Sequence, residues 1–145
     1  MKRIVFFTIG LLPLPLGYLL AYLMVEVMPD QLLPLVLVGL VVLAFWFLVG
    51  VLSANFFRTR EGAMLFLNLP ALIILILILV QSLVLQAFWP NPIGVATQYF
   101  YLPFLGISRF LGFFFTLSFH VSAIFAFICM LITSFAGRLV GEQIY

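Results

Sequence analysis

Of the 145 residues, 67% are hydrophobic and only 7% are charged, with a mean hydropathy of +1.39. A soluble domain is about half apolar and about a quarter charged, so this chain lacks the polar surface to cover itself, and lipid is its expected solvent. Six Lys and Arg against four Asp and Glu leave a formal net charge of +2. The cations are scattered in ones and twos, which excludes the basic patch that a nucleic-acid backbone requires.

No break in composition divides the chain, and a single transmembrane domain over residues 1–145 is expected. Only helices and closed barrels bridge lipid, because every backbone polar group must be paired internally. Continuous apolar runs of about 20 residues select helices over a barrel. The expected fold is an all-α integral membrane bundle of four transmembrane helices, N-in/C-in. An outer interfacial or re-entrant segment is expected between helices 3 and 4.

The first span covers residues 4–27. Met1-Lys2-Arg3 resembles the start of a signal peptide, but the apolar run from Ile4 to Val25 is too long for one and no Ala-x-Ala site follows. A retained span is expected. Pro13 and Pro15, flanked by Gly10 and Gly17, remove backbone donors and predict a bend. Tyr18, Tyr22 and Glu26 recur every four residues and share a face. Glu26 is an intramembrane polar candidate for an access path; its simpler role is to reach interfacial water beside Asp30. Met28-Pro29-Asp30-Gln31 then forms a turn.

The second span covers residues 32–57. Gly50 and Ala54 give it a small-xxx-small face for close helix packing. Arg58-Thr59-Arg60-Glu61-Gly62 is a charged turn, and Asn55 and Asn68 on its flanks are expected near the interface. The third span covers residues 63–88 and carries Gln81, a second intramembrane polar candidate, at depth. An amide there serves helix association more readily than catalysis.

Residues 89–109 are too apolar for a free loop and too broken by Pro90, Pro92 and Pro103 for a fifth span. Trp89, Tyr99 and Tyr101 suit the headgroup zone as interfacial anchors, with Arg109 beside them. The fourth span covers residues 110–136. It holds His120, the only histidine, placed about ten residues in, or about 15 Å from the outer end. His120 is the third intramembrane polar candidate, for packing through a hydrogen bond, with Thr116 one turn away as a partner in reach, or for proton transfer. Ser118, Ser122 and Ala126 form a further small-residue face.

No catalytic or metal-binding constellation is expected. Cys129 is the single cysteine, so no internal disulfide and no Cys-x-x-Cys pair exists. Phosphate-binding glycine loops, paired intramembrane carboxylates and His-x-x-x-His pairs are absent from the sequence. No cofactor is expected; a haem, pigment or quinone beside His120 is the alternative. The leading functional expectation is a non-enzymatic small accessory or scaffolding subunit of a larger membrane complex, with the lipid bilayer and other membrane subunits as partners and no nucleic acid. The alternatives are a small homo-oligomeric transporter or channel, which needs a polar stripe across the whole bilayer, and a membrane-surface enzyme acting on lipid.

Lys2, Arg3, Arg58, Arg60 and Arg138 fall on one side of a four-span arrangement, and only Arg109 falls on the other. The positive-inside rule then places both termini in the cytoplasm. A topology reporter fused after Tyr145 is expected to read cytoplasmic; a signal from the opposite side of the membrane defeats the four-span arrangement.

Overall fold

A computed structural model describes residues 2–27, 34–111 and 118–144. All regular elements in them are helical. Helices α1 (Lys2–Gly10) and α2 (Pro13–Tyr22), with a π-helical turn at Leu23–Val27, form one apolar rod. Helix α3 covers Leu35–Phe56. Helix α4 covers Arg60–Leu79 and runs into a π-helical turn at Val80–Val84. Helix α5 (Pro92–Phe100), a 3₁₀ turn at Leu102–Phe104 and α6 (Leu105–Leu111) follow, and α7 covers Phe119–Ile144. Four rods, Lys2–Val27, Leu35–Phe56, Arg60–Val84 and Phe119–Ile144, are long and apolar enough to cross a membrane.

The first three rods match the expected spans to within a few residues. The fourth does not: it begins at Phe119 instead of residue 110, and runs to Ile144 instead of stopping at residue 136. Two causes act together. Residues 105–111 belong to α6. At the other end Arg138, which reads as a water-facing stop in the sequence, is only 3% exposed and is neutralised inside the bundle.

The first rod is broken where the prolines predict. Pro13 has no N–H, and the chain crosses Leu11 and Leu12 on short-range bonds, from Leu11 N–H to the Thr8 carbonyl (3.1 Å), Leu12 N–H to Ile9 (3.0 Å) and Leu14 N–H to Leu11 (3.0 Å). Before the break, α1 packs on α4, with Gly10 against the Leu67 carbonyl and the Pro70 ring. Beyond it, α2 packs on α5, and α5 packs on α4. The hairpin α5–α6 fills the space between the two rods, and α6 packs on α3 and α7.

Asn91 and Pro92 start α5. The Asn91 side chain accepts from Gly94 N–H at 2.9 Å, and the fixed φ of Pro92 suits a first helical position. At the hairpin tip Phe100, Tyr101 and Phe104 are almost completely buried, in one core with Trp46, Leu67, Ile78 and Met130.

Helices α3 and α7 make the closest pairing. A Cβ at Gly50 would overlap the Ser134 carbonyl, one at Gly137 the Phe47 carbonyl, and one at Gly141 the Val51 carbonyl. Backbones meet there with no side chain between them, as small-xxx-small faces permit. Gly137→Leu is expected to destabilise the protein by at least about 1–3 kcal/mol through overpacking. Leu48→Ala, on the exposed face of α3, serves as the control. Thermal unfolding in mild detergent measures both; equal midpoints for the two variants contradict the close pairing.

Candidate functional site

Two groups of polar side chains lie inside the bundle and a third lies at one end, and each joins elements distant in sequence. The central group is Trp46 of α3, Asn68 of α4 and Ser134 of α7. The Trp46 indole N–H donates to the Asn68 side-chain oxygen at 3.1 Å. The Asn68 amide group donates to the Met64 carbonyl at 3.0 Å and to the Ser134 hydroxyl at 3.2 Å. Ser134 in turn donates to the Leu131 carbonyl at 3.1 Å. Asn68, expected near the interface from its place beside a charged turn, is 3% exposed at the junction of three helices. Its three polar neighbours leave it no spare donor.

The second group holds the hairpin. Gln81 is fully buried in the π-helical turn. Its amide donates to the Thr97 hydroxyl at 3.3 Å, and its side-chain oxygen accepts from Trp89 N–H at 3.0 Å. Thr97 donates to the Gly94 carbonyl at 2.7 Å. The wide turn is closed by bonds from Leu85 N–H to the Val80 carbonyl and from Ala87 N–H to the Gln81 carbonyl, both 3.0 Å. Gln86 between them takes a left-handed φ of 50°, which for a non-glycine residue needs this surrounding support.

Tyr101 corrects an expectation. Expected as an interfacial anchor, it is fully buried, and its hydroxyl donates to the Ala71 carbonyl at 2.7 Å, midway along α4. Burial pushes its phenol pKa well above the ordinary value, so the group stays a donor. Trp89 and Tyr99 remain partly exposed, and Tyr99 meets the Tyr18 ring edge-on at 5.8 Å between centroids.

The third group lies at the end of the bundle where α3 stops and α4 starts. Arg138 donates to the Ser53 carbonyl, to the Phe57 carbonyl at 2.9 Å and to Glu142 at 2.9 Å. The Ser53 carbonyl already accepts from Phe57 N–H at 3.1 Å, and a cation at the last carbonyls of a helix adds a second bond there and complements the helix dipole. Glu142 also accepts from Arg60 Nε at 2.7 Å, joining α7 to the start of α4. Lys2 lies 5.8 Å from the Phe56 ring centre and Arg3 lies 5.3 Å from that of Phe66.

The candidates from sequence are not brought to one place. Glu26 is exposed in the π-helical turn, and Tyr18 and Tyr22 on its face are 63% and 52% exposed. His120 is not ten residues deep but the second residue of α7, half-buried, with Nε2 3.0 Å from the Ser118 hydroxyl. Gln81 belongs to the hairpin group. Thr116, the Met28–Gln31 turn and the Arg109 side chain lie outside the described residues.

Among the packing candidates, Gly50 and Ala54 face α7. Ser122 and Ala126 are buried, the Ser122 carbonyl accepting from Ser108 at 3.3 Å, while Ser118 is exposed. Sequence reasoning missed Gly137 and Gly141, although their spacing is a Gly-xxx-Gly signature; placing the span end at residue 136 hid it. Among the described residues no cluster of three His, Cys, Asp or Glu is placed to hold a metal ion. Comparison of the chain with protein families, with curated proteins and with solved structures gives no match.

Asn55 and Asn68 are equivalent by sequence, but only Asn55 is exposed. Asn68→Ala strips Trp46 and Ser134 of their partner and is expected to cost about 1–3 kcal/mol. Asn55→Ala is expected to stay within about 0.5 kcal/mol. Unfolding in detergent measures the difference; equal effects exclude the central group as a structural latch.

Proposed function

We propose that the chain is a multi-pass membrane protein, with both termini in the cytoplasm, that acts as a non-enzymatic accessory or scaffolding subunit of a larger membrane complex. Support for the orientation comes from Lys2, Arg3, Arg60 and Arg138, which gather around Phe56, Phe57, Phe66 and Glu142 at one end of the bundle. The positive-inside rule assigns that end to the cytoplasm.

The observation that carries the scaffolding role is that the bundle fills itself. The hairpin occupies the space opened by the broken first rod, and its tip side chains complete the core. Apart from the buried Ser82 hydroxyl, which has no partner among the described residues, the deep polar side chains bond to one another or to backbone groups and act as internal latches. What remains for contact is the apolar outer surface: Leu37, Leu48 and Leu52 on α3, Ile76 on α4, and Ile132 on α7 are each about half exposed or more. A transporter needs polar groups aligned across the bilayer, whereas Glu26, Gln81 and His120 occupy three separate places.

Purification from native membranes in mild detergent, followed by determination of particle mass and composition, tests this function. Other polypeptides in fixed ratio are the expected result. A particle made of this chain alone overturns the accessory role and directs attention to flux measurements in liposomes.

A further inference from the structure

Along the seam of α4 and α7 runs a groove of about 560 Å³, open to the side. Its walls include Met64, Leu65 and Leu72 of α4 and Phe127 and Leu131 of α7, and Glu61 stands at one end. From Glu61 to Leu72 the helix rises about 16 Å. Half of a hydrocarbon core of about 30 Å is about 15 Å. The groove therefore has the length of one acyl chain in one leaflet, the leaflet at the basic end. Its polar lining residue Asn68 already bonds Trp46, Met64 and Ser134, so the floor makes no demand on an apolar occupant.

The charges at the mouth specify the headgroup. Glu142 is occupied by Arg60 and Arg138. Glu61 is exposed and makes no ion pair among the described residues. Arg60, next to Glu61 but outside the groove lining, has a side chain 51% exposed; Glu142 engages its Nε and Nη2, and its Nη1 has no partner among the described residues. One free carboxylate next to one half-exposed guanidinium complements a zwitterion. We propose that this seam is a phospholipid site selective for a headgroup bearing a primary ammonium. The acyl chain lies between α4 and α7, the ammonium donates to Glu61, and Arg60 faces the phosphate. A quaternary ammonium has no N–H to donate, and a glycerol headgroup brings no cation to Glu61, so both bind less well. The inference does not depend on the accessory role.

The test is native mass spectrometry of the intact protein in detergent, titrated with an equimolar mixture of dioleoyl phosphatidylethanolamine, phosphatidylcholine and phosphatidylglycerol. The expected result is about three- to fivefold more ethanolamine adduct than choline adduct, the size of one exposed charge-assisted contact. Glu61→Gln is expected to equalise these two, with the folded particle unchanged. A purely structural role for Glu61 at the start of α4 predicts altered stability and unaltered lipid preference. Filling the groove with Met64→Trp or Leu65→Trp is expected to remove the adducts. Equal retention of all three lipids by the native protein overturns the site. So do dominance of phosphatidylglycerol, an ethanolamine preference that survives Glu61→Gln, and full adducts in both tryptophan variants.

Discussion

The break at Leu11–Leu12 is the constraint on which the architecture depends. With no N–H at Pro13, the first rod cannot continue its regular ladder, and its two halves take different neighbours. The first half lies on α4, and the second is separated from it by α5. An unbroken rod packed on α4 along its whole length would leave no room for the hairpin, and Phe100, Tyr101 and Phe104 would have no core to enter.

A hairpin with non-helical turns carries backbone groups that no helix ladder pairs. This chain meets the requirement with few polar side chains. Asn91 caps α5, Gln81 receives the Trp89 N–H, and Tyr101 ties the tip to the Ala71 carbonyl. Each bond joins segments with different neighbours, so together they set the depth and rotation of the hairpin as well as satisfying polar atoms.

The same economy operates at the basic end. Arg138 closes the end of α3 while Glu142 draws in the start of α4, so one helical face of α7 organises two neighbouring chain ends. The Gly50, Gly137 and Gly141 approaches bring α3 and α7 close enough for the guanidinium to reach those carbonyls. Tight backbone packing and charge burial are thus one feature of the α3–α7 pair.

The helices α5 and α6 that begin within residues 89–109 were not legible in the sequence, but the four apolar rods, the bend at the prolines and the interruption after the third rod were. Each follows from local chemistry: apolar length, a missing N–H, and prolines that stop a helix. The limits of the last rod were not legible, because Arg138 is a stop signal in isolation and a buried latch only when the carbonyls at the end of α3 face it. Tyr101 and Asn68 show the same limit. An aromatic residue near two prolines and an amide near a charged turn have ordinary interfacial meanings, and their burial is decided by partners 30 and 66 residues away, Ala71 and Ser134. The sequence alone determined how many apolar helices there are and where one must bend, since those depend on neighbouring residues. Only the tertiary structure decided which polar groups are latches, because a hydrogen bond between helices depends on which faces meet.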